Sequence, residues 1–141
     1  CEPAPIAQTL STYPELMPES MMKNGIAKLD SIVTIVDALR MRDEFGLGED
    51  LKKDGIDEED LASLVIQQIE FCNIIILNKV SEISADELLH LKGAIKEIQP
   101  QAKILECDYG KIDLNEILNT HSFDFEEVAT SARWIEAMEE E

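Results

Sequence analysis

The run Asn73-Ile74-Ile75-Ile76-Leu77-Asn78 constrains this chain more than any other segment. Four apolar residues stand together between two asparagines, with no polar alternation. A strand with one wet face alternates, so this one must be covered on both faces. Ser31-Ile32-Val33-Thr34-Ile35-Val36-Asp37 reads the same way, being nearly continuous and β-branched. Lys103-Ile104-Leu105-Glu106-Cys107 is a third, shorter strand. Strands covered on both faces belong to parallel sheets.

Helix start signals lie between these strands. Asp57 is placed to cap a helix, with Ile56 and Leu61 as a hydrophobic staple and Leu61, Leu64, Val65, Ile69 and Cys72 on one face. Ser84 and Glu87 form a capping box, stapled by Ile83 and Leu88. The buried stripe behind it is Leu88, Leu91, Ile95 and Ile98, and Pro100 ends that helix. Asp113 with Glu116 and Asp124 with Glu127 repeat the capping pattern. The stretch from Gly46 to Gly55 is polar and glycine-punctuated, and it reads as a mobile loop. The order helix, strand, helix, strand, helix, strand, short helices predicts an α/β fold, a parallel sheet with flanking helices and right-handed crossovers.

Length and charge narrow the function classes. The 141 residues are one domain's worth of chain, and 45% hydrophobic content is enough for a core. Asp and Glu number 30 against 12 Lys and Arg, a net charge of −18. Such a surface repels phosphate backbones, so no nucleic-acid partner is expected. No apolar run approaches the roughly 18 residues of a membrane span, so no membrane partner is expected either. Cys1, Cys72 and Cys107 are odd in number and widely spaced, which fits a reducing cytoplasm better than a disulfide framework. Cys72 and Cys107 read as core thiols; a metal role is considered only for Cys1. His90 and His121 have no partner at metal-ligand spacing. Glu139-Glu140-Glu141 reads as a solvated helix end.

In open α/β sheets, ligands bind beyond the carboxyl ends of the strands. Here those ends carry Asp37, Asn78-Lys79 and Asp108. Asn78-Lys79 after an apolar strand looks like the base-recognition loop of GTP-binding proteins, whose pattern is Asn-Lys-x-Asp. There the Asn ties the loop and bonds the base edge, the Lys stem lies along the purine face, and the Asp accepts from the guanine N1 and N2 donors. This chain has Asn78-Lys79-Val80-Ser81, so the acid is missing, and Glu82, one residue along, is the candidate substitute. Ser81→Asp is expected to sharpen the preference for guanine.

A wider match surrounds that pair. Pro3-x-Pro5-Ile6-Ala7-Gln8-Thr9, Val33-Thr34-Ile35-Val36-Asp37-Ala38, Gln68 to Lys79, Asp108-Tyr109-Gly110-Lys111-Ile112-Asp113-Leu114 and Phe123-Asp124-Phe125-Glu126 follow in order. In this order and spacing they resemble the CobW family of P-loop GTPases, relatives of the urease and hydrogenase accessory GTPases. The resemblance implies the second half of a P-loop NTPase (Rossmann-like) domain, residues 1–141 being a partial CobW-like nucleotide-binding domain without its Walker A half. It implies nucleotide-binding roles for Asn78, Lys79, Ser81, Asp108 and Tyr109. It also implies GTP and Mg as cofactors of the intact protein, zinc or cobalt as cargo, a metal-receiving client protein and a link to cobalamin synthesis.

No Gly-x-x-x-x-Gly-Lys-Ser/Thr loop occurs here, and no Cys-x-Cys-Cys metal motif. The chain is therefore expected to be a fragment of a GTP-binding metallochaperone that supplies the guanine-base side of the site and has no GTPase activity alone. The alternative is a non-catalytic interaction half-domain. Either way, uncovered helix faces predict a homo-oligomer or a clamp to the missing amino-terminal half.

Overall fold

The computed structural model describes residues 2–57, 60–129 and 132–139; Cys1 and Glu140-Glu141 lie outside them. Three parallel strands, β1 (Val33–Asp37), β2 (Ile74–Asn78) and β3 (Lys103–Glu106), pair in the order β1-β2-β3. The flanking helices are α1 (Pro3–Leu16), α2 (Ala38–Phe45), α3 (Leu61–Glu70), α4 (Ala85–Ile98), α5 (Phe125–Val128) and α6 (Ala132–Glu139). This is the α/β class read from the sequence.

The β2 run behaves as its composition requires. Ile74, Ile75, Ile76 and Leu77 are all buried. Ile75 and Leu77 join Val36, Met41, Phe45, Ile69, Leu91 and Ile95 in the main core. Ile74 and Ile76 point to the opposite face, as the pleat dictates. A second cluster packs Ala4 and Ala7 of α1 against Phe71, Phe123 and Trp134, with Phe71 and Trp134 edge to face.

Local signals are met unevenly. At α4 the Ser84 hydroxyl accepts from the Glu87 N–H at 3.2 Å, and the Glu87 carboxylate accepts from the Ser84 N–H at 2.8 Å. The helix ends at Ile98, just before Pro100, with Gln99 out of helical geometry. At α3 the helix starts at Leu61 behind Asp60, three residues beyond the expected Asp57 cap. Asp113 supports only a short 3-10 turn, Leu114–Glu116, because the Glu116 carboxylate pairs with Lys103 of β3 instead of closing the box. Asp124 does cap α5, accepting from the N–H groups of Glu126 and Glu127.

The expected loop after Gly46 is instead a packed 3-10 segment, Gly46–Lys52, lying against α2 and α4. Leu51 is buried in the main core. Helix α2 was not anticipated; it begins where Asp37 ends β1 and accepts from the Arg40 N–H at 3.0 Å. Among the described residues, no helix is long and apolar enough to cross a membrane.

The outer flank of β1 is open. Ile35 is 69% exposed on it. A groove of about 520 Å³ runs between this strand and α1, lined by Ile6, Leu10, Val33 and Ile35 among others.

Candidate functional site

The parallel register sets Asp37 level with Asn78, so the carboxyl ends of β1 and β2 finish together. The loop after β3 arrives beside them. Two side-chain crosslinks then join the β2 and β3 loops. Asn78 Oδ1 accepts from the Gly110 N–H at 3.0 Å and from the Cys107 thiol at 3.4 Å. Asp108 Oδ1 accepts from the Ser81 N–H at 3.0 Å and from the Ser81 hydroxyl at 2.8 Å. Asn78 and Asp108 thus fasten the two loops together.

The backbone is held away from its ordinary conformations here. Lys79 and Tyr109 are non-glycine residues at φ 60° and 54°, in the left-handed region. Each such residue costs on the order of 1 kcal/mol or more and persists only where its surroundings enforce it. The crosslinks at Asn78 and Asp108 are those surroundings. Gly110, at φ 65°, follows Tyr109 and donates to Asn78.

The resulting cleft holds about 350 Å³ and is lined by Leu39, Asn78, Lys79, Ser81, Glu82, Asp108 and Tyr109. All five residues singled out from the sequence border this one space. Tyr109 stands at its edge with 88% of its surface exposed. Lys79 Nζ donates to Asp37 Oδ2 at 2.5 Å. Partial burial pushes the Asp37 carboxyl up, but the Lys79 ammonium and the Arg40 N–H outweigh it and hold the group below the usual carboxylate range. Sequence reasoning gave Asp37 no role beyond that of a structural cap; the structure makes it the α2 cap and also the partner of Lys79. Leu39 and Glu82 also line the cleft, and Leu39 carries no sequence signal.

Cys72 and the histidines lie elsewhere, whereas Cys107 sits against Asn78. Cys72 and Cys107 are buried free thiols. Burial pushes the Cys72 thiol up to about 11, against the opposing Thr34 hydrogen bond. His90 pairs with Glu49 at 2.8 Å, and the His121 N–H donates to Asp30 at 2.7 Å. Among the described residues, no group of three or more His, Cys, Asp or Glu side chains is placed to hold a metal ion. No such group lines the cleft, so its described residues do not by themselves fit Mg.

A family model described as the CobW/HypB/UreG nucleotide-binding domain matches residues 1–106. The zinc-regulated GTPase metalloprotein activator 1 of Dictyostelium discoideum is 34% identical over 142 positions, covering 97% of this chain and 30% of that protein. The protein of the same name in Schizosaccharomyces pombe is 31% identical over 122 positions, covering 86% of this chain and 25% of that protein. The chain thus spans less than a third of the length of these relatives. No solved structure matches it significantly. The matched stretch takes in the whole parallel sheet and the Asn78-Lys79 loop, and the chain belongs to the CobW/HypB/UreG nucleotide-binding family.

Proposed function

We propose that this chain supplies the base-recognition side of a GTP site in a metal-handling GTPase. The observation that carries the reading is the prefastened cleft at the carboxyl ends of the sheet, where Asn78, Lys79, Asp108 and Tyr109 converge. The Lys79 stem and the Tyr109 ring offer flat apolar contact to a base, and Asp108 offers a hydrogen-bond acceptor. Phosphates and Mg would be held by residues outside this set, so the GTPase activity belongs to an assembly larger than these 141 residues. The names of the relatives support zinc as the regulated or delivered metal. Cobalt cargo, a part in cobalamin synthesis, a metal-receiving client and a cytoplasmic setting extend the same proposal.

Binding of fluorescent GDP to the chain co-expressed with the amino-terminal half of the GTPase domain tests it. Lys79→Ala should weaken binding about tenfold, the scale of one charged contact of about 1.5 kcal/mol. No detectable GDP binding by the wild type would overturn the reading.

The open flank of β1 favours a companion proposal. Its exposed Ile35 and apolar groove fit the remaining strands of the GTPase domain, and the short coverage of the relatives supports that occupant. Light scattering of the 141 residues with and without the co-expressed amino-terminal half checks it. A stable 1:1 complex is the expected result. A homodimer that excludes that half would favour the non-catalytic interaction module instead.

A further inference from the structure

The base site has a chemical gap. The Asn-Lys-x-Asp pattern calls for a carboxylate where this chain has Ser81. We infer that Asp108, reaching across from the β3 loop, supplies the guanine-discriminating carboxylate, with Ser81 as its positioning residue. The inference rests on the nucleotide reading above and narrows it to a purine with donors on its pyrimidine edge.

The geometry is that of an acid exchanged between two loops. Ser81 donates twice to Oδ1 of Asp108, from its N–H at 3.0 Å and its hydroxyl at 2.8 Å. The carboxylate therefore sits one hydrogen bond from the position where the pattern would carry its own. Two donors on one oxygen fix the rotation of the group. Among the described residues, no hydrogen bond reaches Oδ2. A carboxylate is an acceptor-only group. Guanine presents N1–H and an exocyclic amine to such an acceptor. Adenine presents a bare N1 whose lone pair repels it. Glu82 lines the same cleft, but no hydrogen bond among the described residues anchors its carboxylate. Ordering that longer side chain on binding costs rotamer freedom that Asp108 has already given up.

With Asp108 as that acid, the expected effect of Ser81→Asp reverses. That substitution would set a second carboxylate beside Asp108, and two carboxylates sharing one site cannot both stay ionised without penalty. The double exchange Ser81→Asp with Asp108→Ser keeps one acid and one hydroxyl with their places reversed.

The test measures displacement of fluorescent GDP from that same co-expressed complex by GDP, ADP and XDP, the xanthine analogue. Wild type should prefer GDP over ADP by about tenfold or more, short of the roughly 10⁴ of a fully enclosed site. Asp108→Asn keeps its carbonyl oxygen on Ser81 and turns its amide nitrogen outward as a donor. Its GDP preference should collapse, and XDP, with an oxygen in place of the amine, should gain affinity. Ser81→Asp alone should weaken GDP binding, and the double exchange should restore it. An unchanged GDP-to-ADP ratio in Asp108→Asn, or an equal loss for all three nucleotides, would overturn the inference. So would loss of the preference in Glu82→Gln, which also guards against a misfolded Asp108 variant. Equal binding of GDP and ADP by wild type would leave the nucleotide reading standing and remove this one; no binding of any of the three would remove both.

Discussion

At the scale of single residues, Asp30 does the work of a small crosslink. Its carboxylate accepts from the Thr120 N–H at 2.9 Å, the Thr120 hydroxyl at 3.1 Å and the His121 N–H at 2.7 Å. Its carbonyl accepts from Ser122 and Phe123. Those bonds deliver Phe123 to the second core. The N–H groups of Thr120 and His121 hold the Asp30 carboxyl below the ordinary range. A carboxyl depressed in the folded state adds stability above its unfolded value near 3.9, and that stability is lost as pH falls through the lower folded value. Asp30→Asn should therefore lower the melting temperature at pH 7, and the deficit should shrink on acidification below about pH 4. Thermal melts of both proteins across pH 3–7 would show it; a pH-independent deficit would assign the loss to geometry alone. Nothing in the residue order marks Asp30, because its partners lie about 90 positions away.

At the scale of elements, the turn after α2 decides the most. Gly48 has φ +92°, and a Cβ there would lie 2.9 Å from the Ala94 Cβ of α4. Both backbone strain and a direct clash oppose any side chain. Gly48→Ala should cost roughly 1–3 kcal/mol, whereas Gly93→Ala, on α4 with nothing within 4 Å, should stabilise by up to about 1 kcal/mol. Urea titration of the two variants checks the contrast. The strands and α4 were legible because periodicity, β-branching and a capping box act within a few residues. The Gly46–Lys52 segment was not, because its polar, glycine-rich composition hides the one buried Leu51 that pins it. The site was legible in part. Asn78-Lys79 and Asp108 were visible as strand ends, but the Ser81–Asp108 and Lys79–Asp37 contacts span 27 and 42 positions and exist only once the sheet has paired.

At the scale of the whole molecule, charge is the dominant long-range term. A net charge of −18 on 141 residues sets the surface against itself. Opposing this are surface ion pairs such as Arg40–Glu44 and Lys92–Glu106, each worth about 0–1 kcal/mol. Salt weakens both effects, shortening the Debye length from about 30 Å at 0.01 M to about 8 Å at 0.15 M. The excess of like charge exceeds the ion pairs among the described residues. Raising NaCl over that range should therefore raise the melting temperature, by roughly 2–4 °C for each kcal/mol relieved. A fall would mean that the pairs outweigh the repulsion.

The Asp37 side chain has a double engagement whose meaning is dynamic. One oxygen holds the first turn of α2 through Arg40, while the other holds Lys79 at the mouth of the cleft. Lys79 at the pocket mouth is thus latched by its own counter-ion. An arriving ligand that draws Lys79 toward itself must unfasten that latch, and the pull is felt at the start of α2. The same carboxylate thus ties the mouth of the cleft to the seating of a neighbouring helix.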